Sequence, residues 1–195
     1  SDSCNFQVQA IRDTDLSKNV FFQLTSSNAP HPLPTLTSSI YFDVYDDNIW
    51  NLSVRVKPTQ DLATLVSGAT YYTYDVVFSG VNTLLGKTID SFNVKSTISQ
   101  TIGENFLRAN KRLFAGAHRT NITGAVVHKS DVKIGNLKYW TKYIGDENLI
   151  VHANSPFNMG ASGSYLGQSP LWLSGNTVEM LGRNTLALNW AFDDV

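Results

Sequence analysis

The stretch Trp50–Pro58, WNLSVRVKP, decides the predicted fold of this chain. Bulky apolar residues alternate with polar ones along it, and the apolar set is Trp50, Leu52, Val54 and Val56. Because successive side chains of a β-strand point to opposite faces, this period of two predicts a strand with one buried face. We therefore expect the four apolar side chains to line the inner face of a β-sandwich, in which two sheets pack face to face.

Short runs with the same β-branched and aromatic bias recur between turn-forming residues. The further predicted strands are Val20 to Leu24, Ile40 to Val44, Tyr71 to Phe78, Phe92 to Ile98, Leu113 to Ala117, Ala125 to Lys129 and Leu186 to Phe192. Gly80 is expected to end the strand that precedes it. Residues 26–34, SSNAPHPLP, predict a loop, because proline cannot donate to a ladder. Ile102 to Arg112 fits either a helix or an irregular crossing between strands.

The number and spacing of these runs predict the fold class. Many short strands separated by turns favour an all-β fold over an α/β fold. We predict an antiparallel jelly-roll β-sandwich with one or two short helices. It is expected to form a single domain over residues 1–195, either complete or as a segment of a longer polypeptide.

Residues 131–153, DVKIGNLKYWTKYIGDENLIVHA, predict a strand, a turn and a short helix in succession. The alternating, bulky residues that end at Trp140 suit a half-buried strand. Asp146 is placed to cap the helix, because its carboxylate can accept hydrogen bonds from the first free amides. Leu149 and Ile150 give the helix an apolar side, and we expect Trp140 to anchor that side on the sandwich.

Charge and cysteine content exclude several classes of function. The 195 residues carry 15 Lys and Arg against 16 Asp and Glu, a formal net charge of −1, so no nucleic-acid partner is expected. Cys4 is the only cysteine, which rules out an internal disulfide and a metal site built from several thiolates. No apolar run approaches the roughly 20 residues that span a bilayer, so we expect no membrane insertion.

Three of these segments resemble a known family. Residues 131–153 resemble the late strand and short helix of laminin-G-like domains in the concanavalin A-like lectin/glucanase superfamily, and Trp50–Pro58 is similar to their early core strand. Lys111 to Lys138 resembles versions of this domain in structural proteins of bacteriophage and other virus particles. The resemblance rests on 52 of the 195 residues. It implies a non-catalytic structural or adhesion module located in the virion, or else extracellular or at a cell surface. Its partners would be other virion proteins, copies of itself or cell-surface glycans.

A glycoside hydrolase is the least favoured hypothesis. Glucanases of this superfamily need two carboxylates about 5 to 9 Å apart across the glycosidic bond. The nearest acidic group in the sequence is Asp43, Asp46 and Asp47, which falls in a predicted turn. We therefore expect no catalytic residue, no enzyme activity and no cofactor, although a calcium ion could use the same oxygens. No metal ligand is assigned, because His31, His118, His128 and His152 lie far apart in the sequence.

A carbohydrate-binding, lectin-like module is the alternative function. A flat aromatic ring can stack on the apolar face of a sugar. Tyr165 and Trp172 lie in a region rich in Gly, Ser and Pro that predicts exposed loops. These two residues are the candidate ligand contacts.

Overall fold

A computed structural model describes most of the chain. The described residues are 6–26, 32–46, 48–59, 72–119, 123–129, 133–155, 158, 171–173, 177–179 and 185–192. They form two compact units, here named unit 1 (residues 1–109 and 143–155) and unit 2 (residues 110–142 and 156–195). Strands predominate, all the paired strands described are antiparallel and the helices are short, so the all-β class is confirmed.

Unit 1 contains two three-stranded antiparallel sheets, ordered β1-β2-β3 and β4-β5-β6. Their strands are β1 Gln7–Arg12, β2 Val20–Thr25, β3 Leu36–Tyr41, β4 Trp50–Pro58, β5 Tyr74–Leu84 and β6 Lys87–Ile98. Val20, Phe22 and Leu24 of one sheet share a buried core with Val76 and Phe78 of the other. The alternating residues of β4 pack against this core, so their predicted inner-face position is confirmed. The two sheets thus form a sandwich-like arrangement.

Three features of unit 1 differ from the predictions. β3 ends at Tyr41, so the predicted extension to Val44 is wrong. β5 continues to Leu84, so Gly80 lies inside that strand and does not end it. A Cβ at Gly80 would stand 2.2 Å from the ring of Phe92, which lies opposite it on β6. Glycine is therefore required by the close approach of the ring and not by a turn.

The first helix, α1 Gln100–Arg108, confirms the helical alternative for this region. The Ser99 hydroxyl accepts a hydrogen bond from the amide of Ile102 and caps the helix. Ile102 and Phe106 pack on the shared core. In the proline-rich stretch, residues 26 and 32–34 form neither strand nor helix, as predicted, and residues 27–31 lie outside the described part.

The second helix, α2 Asp146–Asn154, packs against β4 and β5. β5 is buried on both sides, because Val76 and Phe78 face the shared core while Val77 and Val81 point the other way and are also buried. The predicted helix is confirmed, but the capping residue is not. Gly145 occupies the N-cap position without a side-chain hydrogen bond, and Asp146 is the first helical residue.

Arg55 joins this helix segment to the sheet. Its side chain is only 6% exposed, although its place in the alternation of β4 predicted a polar outer face. One guanidinium nitrogen donates to the carbonyl of Ile144 at 2.9 Å, and another donates to the Ser79 hydroxyl at 2.8 Å. The second of these nitrogens also lies 2.6 Å from a carboxylate oxygen of Asp146. The guanidinium carbon stands 5.2 Å from the centre of the Tyr143 ring.

Unit 2 consists of three two-stranded antiparallel pairs, β7-β8, β9-β12 and β10-β11. The strands are β7 Ala117–Arg119, β8 Val126–Lys129, β9 Asn136–Trp140, β10 Leu171–Leu173, β11 Thr177–Glu179 and β12 Leu186–Ala191. Backbone hydrogen bonds from Thr141 to Thr185 and from Phe192 to Gly135 extend the β9-β12 pair at its two ends. Trp140 lies in β9, and its predicted role as the anchor of α2 stays a prediction. The single domain over residues 1–195 also stays a prediction, and the facing sheets described above belong to unit 1.

We expect Arg55→Met to loosen α2 while the shared core stays folded. The substitution leaves the Ile144 carbonyl and the Ser79 hydroxyl buried without this donor, which is costly for buried polar groups. Amide hydrogen exchange in residues 146–154 should become about tenfold faster or more, with little change in β2 or β5. The matched control is Lys57→Met, which changes an exposed cation on the same strand face, 5.0 Å from the Tyr143 ring. Equal exchange in both variants would show that Arg55 does not hold the helix.

Candidate functional site

Three turns meet at one end of the two sheets of unit 1. They are the β1–β2 turn (residues 13–19), the β3–β4 turn (described at 42–46 and 48–49) and the tip of the β5–β6 hairpin (residues 84–90). Antiparallel meanders place these three connections on the same side. We name this surface the loop end.

Hydrogen bonds join the first two turns to each other and to the strands that carry the hairpin tip. The Lys18 ammonium group lies 2.9 Å from a carboxylate oxygen of Asp46 and joins the first turn to the second. The side-chain amide of Asn82 on β5 donates to the side-chain oxygen of Asn48 in the second turn at 3.2 Å. The Tyr41 hydroxyl donates to the carbonyl of Ser91 on β6 at 3.1 Å. The loop end is therefore one connected surface.

This surface collects exposed apolar side chains. Among the described residues, every large hydrophobic side chain that is more than half exposed lies here: Leu16, Phe42, Ile49, Leu84, Leu85 and Ile89. Leu16 is 94% exposed and Leu85 is 95% exposed, so neither contributes to the core. Single exposed apolar residues are ordinary on protein surfaces, whereas a group of them at one place is typical of an interaction site.

The backbone is strained at the same place. Three non-glycine residues in the described part have positive φ, namely Leu16 (66°), Asp43 (53°) and Leu85 (50°), and all three lie in the loop end. This region costs a branched or bulky residue roughly 1–2 kcal/mol. Leu85 and Gly86 form a two-residue hairpin loop with both φ values positive, the pattern of a type I′ turn, which favours Asn-Gly. Leu16 is the third residue of the turn closed by Ser17 and Thr14, where Gly or Asn is preferred.

Acidic residues surround the apolar tips. The exposed carboxylates of the loop end are Asp13, Asp15, Asp43, Asp46 and Asp90, against the exposed cations Lys18 and Lys87. A hydrogen bond from Ser17 is the main cause that lowers the pKa of Asp13. The hydrogen bond to Asp46 raises the pKa of Lys18. Asp13 and Lys18 therefore both stay charged at neutral pH. The rim of the apolar surface is thus negative overall.

The structure places the acidic residues considered for catalysis or calcium in this surface. The Asp46 carboxylate is engaged by Lys18, and the Asp43 carbonyl accepts hydrogen bonds from the Asp46 amide and the Asn48 side chain. Asp47 lies outside the described residues. In the described part of the chain, no group of three or more His, Cys, Asp or Glu residues is arranged to hold a metal ion.

Both aromatic candidates for sugar binding belong to unit 2. Tyr165 lies outside the described residues. Trp172 lies in β10, so the loop predicted around it is wrong for residues 171–173, and its side chain is not described. The register of β7 and β8 places His118 opposite His128, a proximity that their distance in the sequence did not suggest.

Lys138 of β9 is an ionisable group that the sequence analysis missed. Its ammonium nitrogen donates to the carbonyl of Asn158 at 2.9 Å, and Asn158 is buried. Burial lowers the pKa of Lys138 to about 8, so part of this group is neutral in mildly alkaline solution. The alternation of strand β9 contains a lysine at this position, but nothing in that pattern distinguishes a half-buried amine from an exposed one.

No family model matches the chain, and comparisons with curated proteins and with solved structures give no match either. None of the helices in the described residues is long and apolar enough to cross a membrane. Function is therefore inferred from the exposure, backbone strain and charge of the loop end.

We expect Leu85→Asn to stabilise the protein. Asparagine tolerates positive φ better than leucine and suits the first position of a type I′ turn, so the free energy of unfolding should rise by about 1 kcal/mol. Chemical denaturation followed by tryptophan fluorescence measures this change. The matched control is Leu84→Asn, which alters an exposed leucine in the strand at ordinary φ and should give no gain. A loss of stability in Leu85→Asn would contradict the assignment of strain to this residue.

Proposed function

We propose that the chain is a non-catalytic interaction module, and that the loop end is its binding surface. The observation that carries the proposal is the coincidence of exposure and strain at Leu16 and Leu85. Neither residue gains stability from burial on folding, and each holds a disfavoured backbone conformation that opposes it. Strain that persists at an exposed site is a recognised mark of function.

The chemistry of this surface suits a protein partner better than a sugar. Sugar sites depend on flat aromatic rings and on polar groups that bond hydroxyls. Five of the six exposed residues of the loop end are aliphatic, and Phe42 is the only ring among them. An apolar centre with a polar, charged rim is the usual anatomy of a protein interface. This reasoning places the lectin-like alternative second.

The setting that we propose is a virus particle, where the module would serve a structural or adhesion role. This part of the proposal rests on the resemblance of Trp50–Pro58, residues 131–153 and Lys111 to Lys138 to laminin-G-like domains of virion proteins. The jelly-roll form of the sandwich belongs to the same proposal. Two facing antiparallel sheets in unit 1 support it, although each sheet is ordered as a meander of three consecutive strands. The same resemblance leaves an extracellular or cell-surface location as the alternative.

Incorporation into particles tests this function. Density-purified particles from the source that encodes the chain should contain it, and mass spectrometry should detect the tryptic peptide of residues 113–119. A parent gene with Leu85→Asn should give particles that contain the chain at about one tenth of the normal level or less, because removing an apolar contact of this size weakens docking strongly. Leu107→Gln changes an exposed leucine of α1 away from the loop end and should incorporate normally. Equal incorporation of both variants would contradict the role of the loop end.

The chain is not expected to hydrolyse polysaccharides. Asp46 is paired with Lys18, so this carboxylate is not free to approach a glycosidic oxygen as a general acid. Release of reducing sugar from a panel of β-glucans and related glycans should equal the buffer blank. Turnover that disappears in Asp43→Asn or Asp46→Asn would overturn the non-catalytic assignment. Binding to a glycan array that survives Leu85→Asn would favour the lectin-like alternative.

A further inference from the structure

Charged residues are divided unevenly between the two units, although the formal net charge of the chain is only −1. Unit 1 carries 7 Lys and Arg against 12 Asp and Glu, whereas unit 2 carries 8 Lys and Arg against 4 Asp and Glu. Most of the positive charge of unit 2 comes from residues 110–142, which contain seven cations and one acid. Each copy of the chain therefore offers one acidic and one basic surface region.

The basic unit also has exposed apolar groups. Arg112, Lys133 and Lys142 are exposed in the described part of unit 2. Phe114, Val126 and Trp190 are its exposed large hydrophobic residues. Unit 2 thus carries exposed cations and exposed apolar groups, the opposite in charge of the loop end, where carboxylates accompany leucine and isoleucine.

We propose that the loop end of one copy docks on unit 2 of a second copy. This inference rests on the proposed function and specifies the partner. Burial of Leu16, Leu85 and their neighbours would provide the attraction, because apolar area removed from water stabilises association. The opposed charges would orient the two copies and disfavour contact between like surfaces. An interface between two different surfaces is heterologous, so a pair of copies keeps one free loop end and one free unit 2, and the assembly grows into a ring or a filament.

Sedimentation velocity on the purified chain tests the inference directly. From micromolar to millimolar protein, the average sedimentation coefficient should rise with concentration at physiological salt. The association should weaken at least about tenfold at about 1 M salt, where the screening length falls from roughly 8 Å to roughly 3 Å. Leu85→Asn should lower the association constant to a similar extent, and the control Leu107→Gln should leave it unchanged. Monomeric wild-type protein at every concentration would overturn the proposal.

A charge exchange distinguishes docking between copies from non-specific aggregation. Asp15→Lys with Asp90→Lys reverses two exposed charges of the loop end, and Arg112→Glu with Lys133→Glu reverses two of unit 2. Each double variant alone should associate at least about tenfold more weakly than the wild type, because like charges then face each other. An equimolar mixture should associate again, into assemblies in which the two variants alternate, because the loop end of each variant then meets a unit 2 of opposite charge on the other. A mixture that sediments as two separate species would overturn the proposed contact.

The outcomes for this inference and for the proposed function are separable. If the chain stays monomeric while Leu85→Asn still prevents particle incorporation, the loop end binds a different protein, and only the second-copy inference fails. If self-association occurs as described but incorporation is equal in Leu85→Asn and Leu107→Gln, the virion role of the loop end fails and the contact between copies stands. Self-association that persists unchanged in Leu85→Asn would overturn the inference even where particles contain the chain.

Discussion

The buried guanidinium of Arg55 is the constraint on which the architecture of unit 1 depends. A charged group at 6% exposure needs partners for its donors, and here the Ile144 carbonyl, the Ser79 hydroxyl and the Asp146 carboxylate engage both terminal nitrogens of the guanidinium. One partner, Ser79, belongs to β5, and the other two belong to residues 143–155. The contacts of Arg55 therefore hold residues 143–155 on the outer face of the β4-β5-β6 sheet. That placement buries the outer side of β5 as well as its inner side. A strand buried on both faces is held against any shift of register, since a slip of one residue would exchange its two faces.

A fixed central strand in turn supports the surface at the loop end. Gly80 on β5 leaves room for the Phe92 ring, which stacks with Phe22 at 5.6 Å between ring centres and lies 5.0 Å from Phe78. The Trp50 ring stands 4.7 Å from both Phe22 and Tyr41. Trp50 and Tyr41 flank the β3–β4 turn, so this aromatic cluster lies directly beneath it. Close-packed interiors deform little, and the strained turns therefore rest on a rigid base.

The sequence predicted those elements in which the pattern of apolar and polar residues matches the burial that the fold gives them. β4 follows a strict period of two and its inner face is apolar, and the helix in residues 146–154 ends before Ser155 and Pro156 as its residue types require. β1, QVQAIR, was missed because glutamines and an alanine break the expected apolar contrast of a strand that is half-buried along most of its length. Arg55 was assigned to an exposed face because residue type alone does not reveal the helix segment that covers it. Its three partners are separated from it by 24 to 91 positions in the numbering of the chain.

The loop end was missed for a different reason, and that reason bears on its function. Gly80 was expected to end the strand, whereas β5 continues to Leu84 and the chain turns at Leu85 and Gly86. Gly86 was the available signal, because a glycine between two alternating runs is typical of a two-residue hairpin. Local preference and global fold agree in most of a natural protein, and disagreement is expected where a site serves something other than stability. A turn supported by a packed core holds its leucine in one conformation before binding. Little conformational entropy of the turn is then lost when a partner binds. Under the proposed function, the strain at Leu85 is the cost of pre-organising an apolar contact.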